Sequence, residues 1–158
     1  MRAGVCHLIH SIATAGIGLD DNLQHRLFKT MAENFKHPNN EIQDEAIRAF
    51  NTYCNVYFPD SQSAEELKLN DQHPIIVDVK KLFKPSKDDL NIATTRGYNA
   101  AFGALSKQLL KYFYPGIVDT LMVNCIPKGT EADDAESRKQ SMRALIKVVQ
   151  TLTIQEIT

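Results

Sequence analysis

Two histidines one helical turn apart, His7 and His10, stand beside Cys6 and are the first residues whose types suggest chemistry. A zinc site needs at least a third ligand that converges on the metal, and no other histidine or cysteine is spaced to supply it. A nucleophilic cysteine paired with a histidine is a second interpretation, yet no known protease motif surrounds any cysteine of the chain. Ordinary, partly exposed histidines explain the pair better, so we expect no metal and no cofactor.

The remaining motifs that could carry catalysis are weak. The glycines of "GIG" at 16–18 are not followed by the rest of a dinucleotide-binding fingerprint, and the chain has no phosphate-binding P-loop pattern. The adjacent acidic pairs at 88–89 and 133–134 fall where helices are predicted to begin, and there a carboxylate compensates the helix dipole. No residue is a credible catalyst, and we therefore predict that the chain is not an enzyme.

Several cations and one tyrosine are candidates for contact with a protein partner. Aromatic residues are enriched in interfaces, and exposed lysines and arginines suit an acidic partner, although a solvated helix face accounts for the same charges. The predicted partner-binding residues are Arg96, Lys107, Lys111, Tyr112, Arg138 and Lys139.

These side chains must be positioned by helices, because apolar residues recur with helical spacing along nearly the whole chain. The pattern predicts about seven helices joined by short polar turns. In the first, the apolar face is predicted to comprise Val5, Leu8, Ile9 and Ile12. In the last, it is predicted to comprise Met142, Leu145, Ile146, Val149 and Leu152.

Two segments in the middle of the chain need separate treatment. Residues 59–73 are polar, which predicts an exposed connection or insertion. The stretch "PIIVDVKKLF" at 74–83 has the side chains of a strand, but Pro74 suits the first turn of a helix. No other segment offers a partner strand, so we predict a short helix there and an all-α fold.

A glycine-rich helix is the most informative element. "TTRGYNAAFGALSKQLL" at 94–110, opened by Asp88 and Asp89, is predicted to be one helix, yet it contains Gly97 and Gly103. Each internal glycine costs a helix about 1 kcal/mol relative to alanine. Close contact with neighbouring helices on more than one face would offset that cost. We therefore expect that Gly103→Leu disrupts packing.

A weak internal repeat supports this interpretation. The five residues from Ala46 resemble those from Ala101, and "ALIKV" at 144–148 resembles them again after 43 positions. Periods of about 40–47 residues with paired helices mark HEAT-type repeats. The first interval is longer, and the polar segment 59–73 accounts for the excess. The prediction is a HEAT- or armadillo-like α-solenoid segment over residues 1–158.

Composition excludes other classes of protein. The formal net charge is −1 with charges interspersed, whereas a nucleic-acid binder usually carries a basic stripe. No apolar run approaches the roughly 20 residues that span a bilayer, so no membrane role is expected. The outline of a signal peptide at the N-terminus is interrupted by histidines and a serine. Three cysteines in apolar stretches indicate buried reduced thiols and hence a reducing compartment.

The order of several motifs resembles a known family. "TRGYNAAFGAL" at 95–105 and "AESRKQSMRALIKVVQTL" at 135–152 resemble the C-terminal half of the tubulin-folding cofactor D family. "RAGVCHLIHSI" at 2–12 and "DEAIRAFNTYCNVYF" at 44–58 resemble further helices of that family, in the same order. The segment 59–87 does not match, and the basic character near Lys139 is weaker than the family pattern.

The resemblance implies a function that the residues alone do not. It implies a HEAT-repeat chaperone that captures β-tubulin and joins it to α-tubulin with cofactors C and E and an Arf-like small GTPase. The assembled complex of that family promotes GTP hydrolysis by tubulin in the cytoplasm, in association with microtubules. It also implies that these 158 residues are part of a larger solenoid. The alternatives are an unrelated HEAT or armadillo adaptor and a small helical metal-dependent enzyme using His7, His10 or Cys6.

Overall fold

The computed structural model describes residues 2–89, 91–127 and 135–157 and shows eight α-helices and no strand in these ranges. The helices are α1 (Arg2–Thr14), α2 (Asp21–Phe35), α3 (Asn40–Tyr57), α4 (Pro74–Phe83), α5 (Ile92–Gly103), α6 (Lys107–Phe113), α7 (Gly116–Asn124) and α8 (Ala135–Ile157). The predicted all-α fold is confirmed. The acidic segment before Ala135, predicted to open the last helix, lies outside the described residues.

Local capping explains where several helices begin. The side chains of Asp20, Asn39 and Asn91 accept backbone N–H groups in the first turns of α2, α3 and α5, which satisfies donors that have no partner inside the helix. Pro74 occupies the first turn of α4, where its missing N–H costs nothing. The ambiguous segment 74–83 is therefore a helix, as predicted.

Two boundaries in the glycine-rich segment differ from the prediction. Asn91, rather than Asp88 or Asp89, caps α5, because the two aspartates belong to a separate 3₁₀ turn at Lys87–Asp89. The segment is also two helices, since α5 ends at Gly103 and α6 begins at Lys107. The Nδ2 of Asn51 on α3 donates to the carbonyl of Ala104, 3.0 Å away, and so satisfies an acceptor at this break.

Four helices, α1, α3, α5 and α8, pack side by side in a row. Contacts between α1 and α3 pair His7 with Glu45 near one end and Ile17 with Tyr57 near the other, so these helices run in the same direction. The hydrogen bonds from Gln43 to Ala93 and from Asn51 to Ala104 show the same for α3 and α5.

The last pair in the row follows the same rule. Ser137 at the start of α8 donates to the carbonyl of Ile92 at the start of α5, and Gly103 lies against Ala144 further along both helices. Bonded residues along the row are 40, 53 and 45 positions apart. This spacing accounts for the internal sequence repeat, and its longest interval contains the polar segment 59–73.

The other helices pack against the row or against one another. A short turn joins α2 to α3, α7 packs against α8, and α4 packs against α2. Parallel helices that each pack on the next and carry hairpin partners form the arrangement of an α-solenoid, so the predicted fold class is confirmed. None of the described helices is long and apolar enough to cross a bilayer.

The core follows the row and contains large side chains from most helices. Phe50 on α3 is fully buried and packs edge-on against Phe28 and Phe35 of α2, with ring centroids 5.6 and 5.3 Å apart. Phe83, at the end of α4, contacts Phe102 of α5 and Phe113 of α6 with tilted rings. The aromatic contacts thus join helices α2 to α3 and α4 to α5 and α6.

The buried face of α1 agrees with the predicted one only in part. Cys6, Ile9 and Ala13 are buried and Ile12 is half-buried, whereas Leu8 is 59% exposed. The prediction for Leu8 was wrong because the helix places small residues, not only large ones, against α3. A cysteine and an alanine allow the two parallel helices to approach closely.

A similar difference occurs in α8, although Leu145 and Leu152 of the predicted face are half-buried against the core. Its buried face consists of Ser137, Ser141, Ala144 and Val148, while Met142, Ile146 and Val149 are 45 to 56% exposed. Small side chains allow α8 to pack closely on α5 and α7. Ser141 also donates its hydroxyl hydrogen to the carbonyl of Leu121 on α7, 2.9 Å away. Met142, Ile146 and Val149 consequently face outwards.

Candidate protein-binding surfaces

The six predicted partner-binding residues lie in two separate groups. Arg96, Arg138 and Lys139 lie near the N-terminal ends of α5 and α8, whereas Lys107, Lys111 and Tyr112 belong to α6, beyond the C-terminal end of α5. A helix of twelve residues such as α5 spans roughly 18 Å. The structure therefore brings the residues together as two clusters at opposite ends of α5 and not as one site.

Arg96 is part of an internal hydrogen-bond network. Its Nε donates to Oε1 of Gln43 over 3.0 Å, and its Nη2 donates to the carbonyl of Pro38 over 3.3 Å. Gln43 is buried, and its Nε2 donates to the carbonyls of Phe35 and Ala93 at 2.8 and 2.7 Å. These bonds attach the turn between α2 and α3 to α5, so the guanidinium has a packing role. Its role in binding a partner stays a prediction.

The α6 cluster is attached to the polar segment 59–73. The backbone N–H of Lys107 donates to Oδ1 of Asp60 over 3.1 Å, and Tyr112 donates its hydroxyl hydrogen to the carboxylate of Asp71. The Nζ of Lys80 lies 3.0 Å from the same carboxylate. The hydrogen bond from Tyr112, and then that from Lys80, holds the pKa of Asp71 below its ordinary value.

These contacts decide which atoms of α6 remain open to a partner. The hydroxyl of Tyr112 is engaged with Asp71, and the same hydrogen bond raises the pKa of Tyr112. Lys111 is exposed, and Tyr114, just after the helix, is 59% exposed. In the other cluster Arg138 is half-buried and Lys139 is exposed. Lys111 and Lys139 are therefore the most accessible of the six predicted residues.

Sequence patterns missed that several large apolar side chains of α7, of the turn after it and of α8 are exposed. The residues are large and apolar, and between 45 and 60% of each is exposed: Met122, Val123, Ile126, Met142, Ile146 and Val149. Exposed apolar patches often mark contacts between proteins. The sequence does contain a signal for this exposure, which is a second face of α8 formed by Ser137, Ser141 and Ala144. These small residues can pack closely on a neighbouring helix, so that the large apolar residues elsewhere on α8 point outwards.

The His7 region forms a small pocket between α1 and α3. Its volume is 130 Å³, and it is lined by Cys6, His7, His10, Glu45 and Arg48, among others. Nε2 of His7 lies 2.9 Å from Oε2 of Glu45, and Arg48 pairs with the same carboxylate. The histidine thus joins α1 to α3 through an ion pair that forms when the ring is protonated.

Neither a metal site nor an activated thiol is visible at this pocket. Among the described residues, no group of three or more His, Cys, Asp or Glu side chains is arranged to hold a metal ion. Cys6 is buried, and burial, followed by the charge of Glu45, raises the pKa of its thiol. Because the thiolate is the reactive form, this environment disfavours nucleophilic chemistry at Cys6.

The other cysteines fit the expectation of reduced thiols in part. All three are free; Cys54 is buried like Cys6, and Cys125 is half-buried. Burial raises the pKa of Cys54, which keeps its thiol protonated. The prediction of burial is therefore confirmed for two of the three.

Comparison with known proteins gives one informative similarity. The chain is 28% identical over 120 residues to a protein of Dictyostelium discoideum described as tubulin-specific chaperone D. The alignment covers 73% of this chain but 8% of that protein. No model of a known protein family matches the chain, and no solved structure matches it significantly. The similarity supports a distant relation to part of that chaperone.

Proposed function

We propose that this chain is a non-catalytic, protein-binding part of a helical scaffold that assists the folding of tubulin. The observation that carries the proposal is the 120-residue similarity to tubulin-specific chaperone D in a chain whose described helices stack as an α-solenoid. Stacked helical repeats create extended surfaces on which a partner is held. Such a surface needs no catalytic group.

The finer form of the proposal concerns the partners. The scaffold captures β-tubulin and assists its assembly with α-tubulin, together with tubulin-folding cofactors C and E and an Arf-like small GTPase. It acts in the cytoplasm in association with microtubules, and GTP hydrolysis takes place on tubulin. Because the aligned region covers 8% of the relative, this chain contributes a contact surface to the process and not the whole activity.

The two charged clusters are the proposed contact residues. Lys111 and Lys139 are exposed at opposite ends of α5, and Lys107 and Arg138 stand beside them in sequence. Separated positive groups of this kind increase the rate and the selectivity of association with an acidic surface more than they increase its affinity. We therefore expect charge reversal to act mainly on the association rate, in a salt-dependent manner.

The experiment measures binding of purified αβ-tubulin, and separately of β-tubulin released from a chaperonin, to the immobilised 158-residue chain. Association and dissociation rates are recorded at two salt concentrations. Two variants each reverse an exposed charge: Lys111→Glu and Lys139→Glu. Lys87→Glu is the matched control, because Lys87 is exposed in the 3₁₀ turn outside both clusters.

The outcomes separate the function from the contact residues. Binding of β-tubulin that slows about threefold or more in a cluster variant, but not in the control, supports both proposals. Binding that is the same in all four chains supports the function and contradicts the contact residues. Absence of binding to either form of tubulin contradicts the function and favours an unrelated HEAT or armadillo adaptor.

A further inference from the structure

A groove between α2 and α4 combines an apolar floor with a basic rim. Its volume is 420 Å³, within the range of about 300–1,000 Å³ that is typical of ligand sites. Phe28 from α2, Leu82 from α4 and Tyr98 from α5 line it, and each is at most 9% exposed. Burial of these large side chains makes the floor part of the core and therefore firm.

The rim carries four lysines, Lys29 and Lys36 from the α2 side and Lys81 and Lys84 from the α4 side. Two carboxylates, Glu33 and Asp78, also line the groove. With the nearby histidine neutral, the lining has a surplus of two positive charges. An otherwise near-neutral protein, with a net charge of −1, thus concentrates positive charge in this groove.

The internal ion pairs leave part of that charge available. Asp78 is buried, and its carboxylate is occupied by Nδ1 of His25 at 2.9 Å and by Nζ of Lys81 at 3.5 Å. Glu33 lies 3.7 Å from Nζ of Lys36. Both negative groups are therefore already engaged within the groove, and they offer little to a positively charged ligand.

Lys29 and Lys84 are different, because neither side chain makes an ion pair or hydrogen bond within the part of the chain that the structure describes. Both are exposed and stand on opposite walls of the groove. Two uncompensated ammonium groups that face a common space attract negative charge between them. They are the residues on which binding should depend most.

The spacing of the lysines favours an extended ligand over a compact anion. Lys29 on α2 and Lys36, the residue that caps the C-terminal end of α2, are seven positions apart, which places their Cα atoms about 10 Å apart along the helix axis. Acidic side chains spaced along a peptide can meet both positions while an apolar side chain of the same peptide lies on the floor, and an inorganic anion has no apolar group to offer there. The lining contains no arginine, so the anion contacts come from lysines, which act as flexible point charges and do not select an anion by its shape.

We propose that the α2–α4 groove binds an acidic peptide segment, rich in glutamate or aspartate, with an apolar side chain seated against Phe28 and Leu82. The lysines of the rim attract and align the segment, and the floor fixes its position along the groove. The proposal rests on the charges and shape of the groove and is independent of the role in tubulin folding.

The experiment uses fluorescence anisotropy of a fluorescein-labelled peptide that contains several glutamates and one central phenylalanine. The complete chain should bind it, with affinity that decreases as salt rises. The double variant Lys29→Glu/Lys84→Glu should weaken binding by about tenfold or more. Because both side chains are exposed, circular dichroism should show an unchanged fold. Lys147→Glu on α8, also exposed, is the matched control and should bind like the unmodified chain.

Two further probes sharpen the result. A peptide with glutamine at every glutamate position should lose binding, and equal binding of this peptide would overturn the proposal. Inorganic phosphate should displace the labelled peptide no better than chloride does at the same ionic strength, and specific displacement would overturn the assignment to an extended carboxylate ligand. Binding that is unchanged in the double variant would likewise contradict it.

Discussion

Gly97 on α5 lies directly against the end of α2. A Cβ atom at this position would come within 1.7 Å of the carbonyl oxygen of Phe35, and Gly103 would place a Cβ 3.2 Å from both Cα and Cβ of Ala144 on α8. The two glycines therefore allow α5 to touch helices on two sides. This contact offsets the cost of about 1 kcal/mol that each glycine imposes on the helix.

Gly97→Ala should accordingly destabilise the protein strongly, because its obstacle is backbone that a rotamer change cannot move. We expect a loss of about 3 kcal/mol, seen in thermal melting as a midpoint lower by roughly 6–12 °C. Gly103→Leu should also lower the midpoint, since Ala144 leaves no room for the larger side chain. Gly4→Ala in α1 is the control; a Cβ there meets nothing within 4 Å. Its midpoint should stay the same or rise. A Gly97→Ala midpoint equal to that of the unmodified chain would contradict the close-approach explanation.

His73 makes the stability of α4 dependent on pH. Its Nδ1 accepts the backbone N–H of Ile75 over 3.2 Å, which requires that nitrogen to be unprotonated. Burial lowers the pKa of His73 despite the opposing charge of Asp21. The unfolded chain, with a histidine pKa of about 6.5, therefore takes up a proton first as pH falls. Stability contributed by the neutral ring is present above that pH and decreases below it.

The measurement compares thermal melting of the unmodified chain and His73→Asn between about pH 7.5 and pH 5.5, a range that brackets the histidine pKa. Asparagine retains an acceptor at the helix cap but does not titrate. We expect the midpoint of the unmodified chain to fall more steeply with decreasing pH than that of the variant. The pairs His7–Glu45 and His25–Asp78 are present in both chains, so their contribution cancels. Parallel curves for the two proteins would exclude this role of His73.

At the scale of the helix, α8 shows how apolar residues can be distributed on more than one face. Val148 is fully buried, whereas Ile146, two positions earlier, is 56% exposed. The buried face is smaller in volume but closer to its neighbours, and ridge-and-groove packing favours that closeness. The outer apolar face, with that of α7, remains a surface that another protein element could cover.

Matched serine substitutions test this orientation of α8. Val148→Ser should destabilise the chain by about 2–4 kcal/mol, because it leaves a cavity and buries a hydroxyl group. Ile146→Ser should change stability by no more than about 0.5 kcal/mol, as is usual for exposed positions. Urea unfolding provides both values. A larger loss of stability for Ile146→Ser than for Val148→Ser would indicate that the apolar face predicted from the sequence is the buried one.

For the whole molecule, Gln43 connects the first repeats to the later ones. Its amide donates to the end of α2 and the start of α5, and its carbonyl oxygen accepts from Arg96. Solenoids are stabilised by interfaces between neighbouring repeats. The buried amide therefore couples the α1–α3 part to the α5–α8 part.

Gln43→Ala should weaken this coupling. Two carbonyls and one guanidinium would each lose a partner, at a total cost of about 2–4 kcal/mol. Native-state hydrogen exchange should show that peptides of α5 to α8 open at lower free energy than those of α1 to α3. Gln62→Ala, at an exposed position in the polar segment, is the control and should leave exchange unchanged. An equal loss of protection throughout Gln43→Ala would indicate that this amide only adds overall stability.

The binding surfaces depend on this same tertiary level. The cations of the α2–α4 groove lie in two segments about fifty positions apart in the sequence. One of them, Lys84, begins the stretch "KPSKDDL", in which the two lysines are balanced by two aspartates. Only the packing of α2 beside α4 places the four lysines around one space. Similarly, Arg96 reads as a surface cation in the sequence, whereas the structure shows it bonded to Gln43 and Pro38.

What the sequence by itself determined is the set of helices, because their causes are local. Apolar spacing, the caps at Asp20 and Asn39, and Pro74 at the start of α4 act within a turn or two of the chain. The two glycines of α5 also predicted close contact with neighbouring helices, because packing must offset the helix stability that each glycine costs. What only the tertiary structure decided is which face of α1 and α8 is buried, where the glycine-rich segment breaks, and which charges converge. These features depend on neighbours distant in sequence, and burial is a property of the packed assembly of helices and not of any one helix.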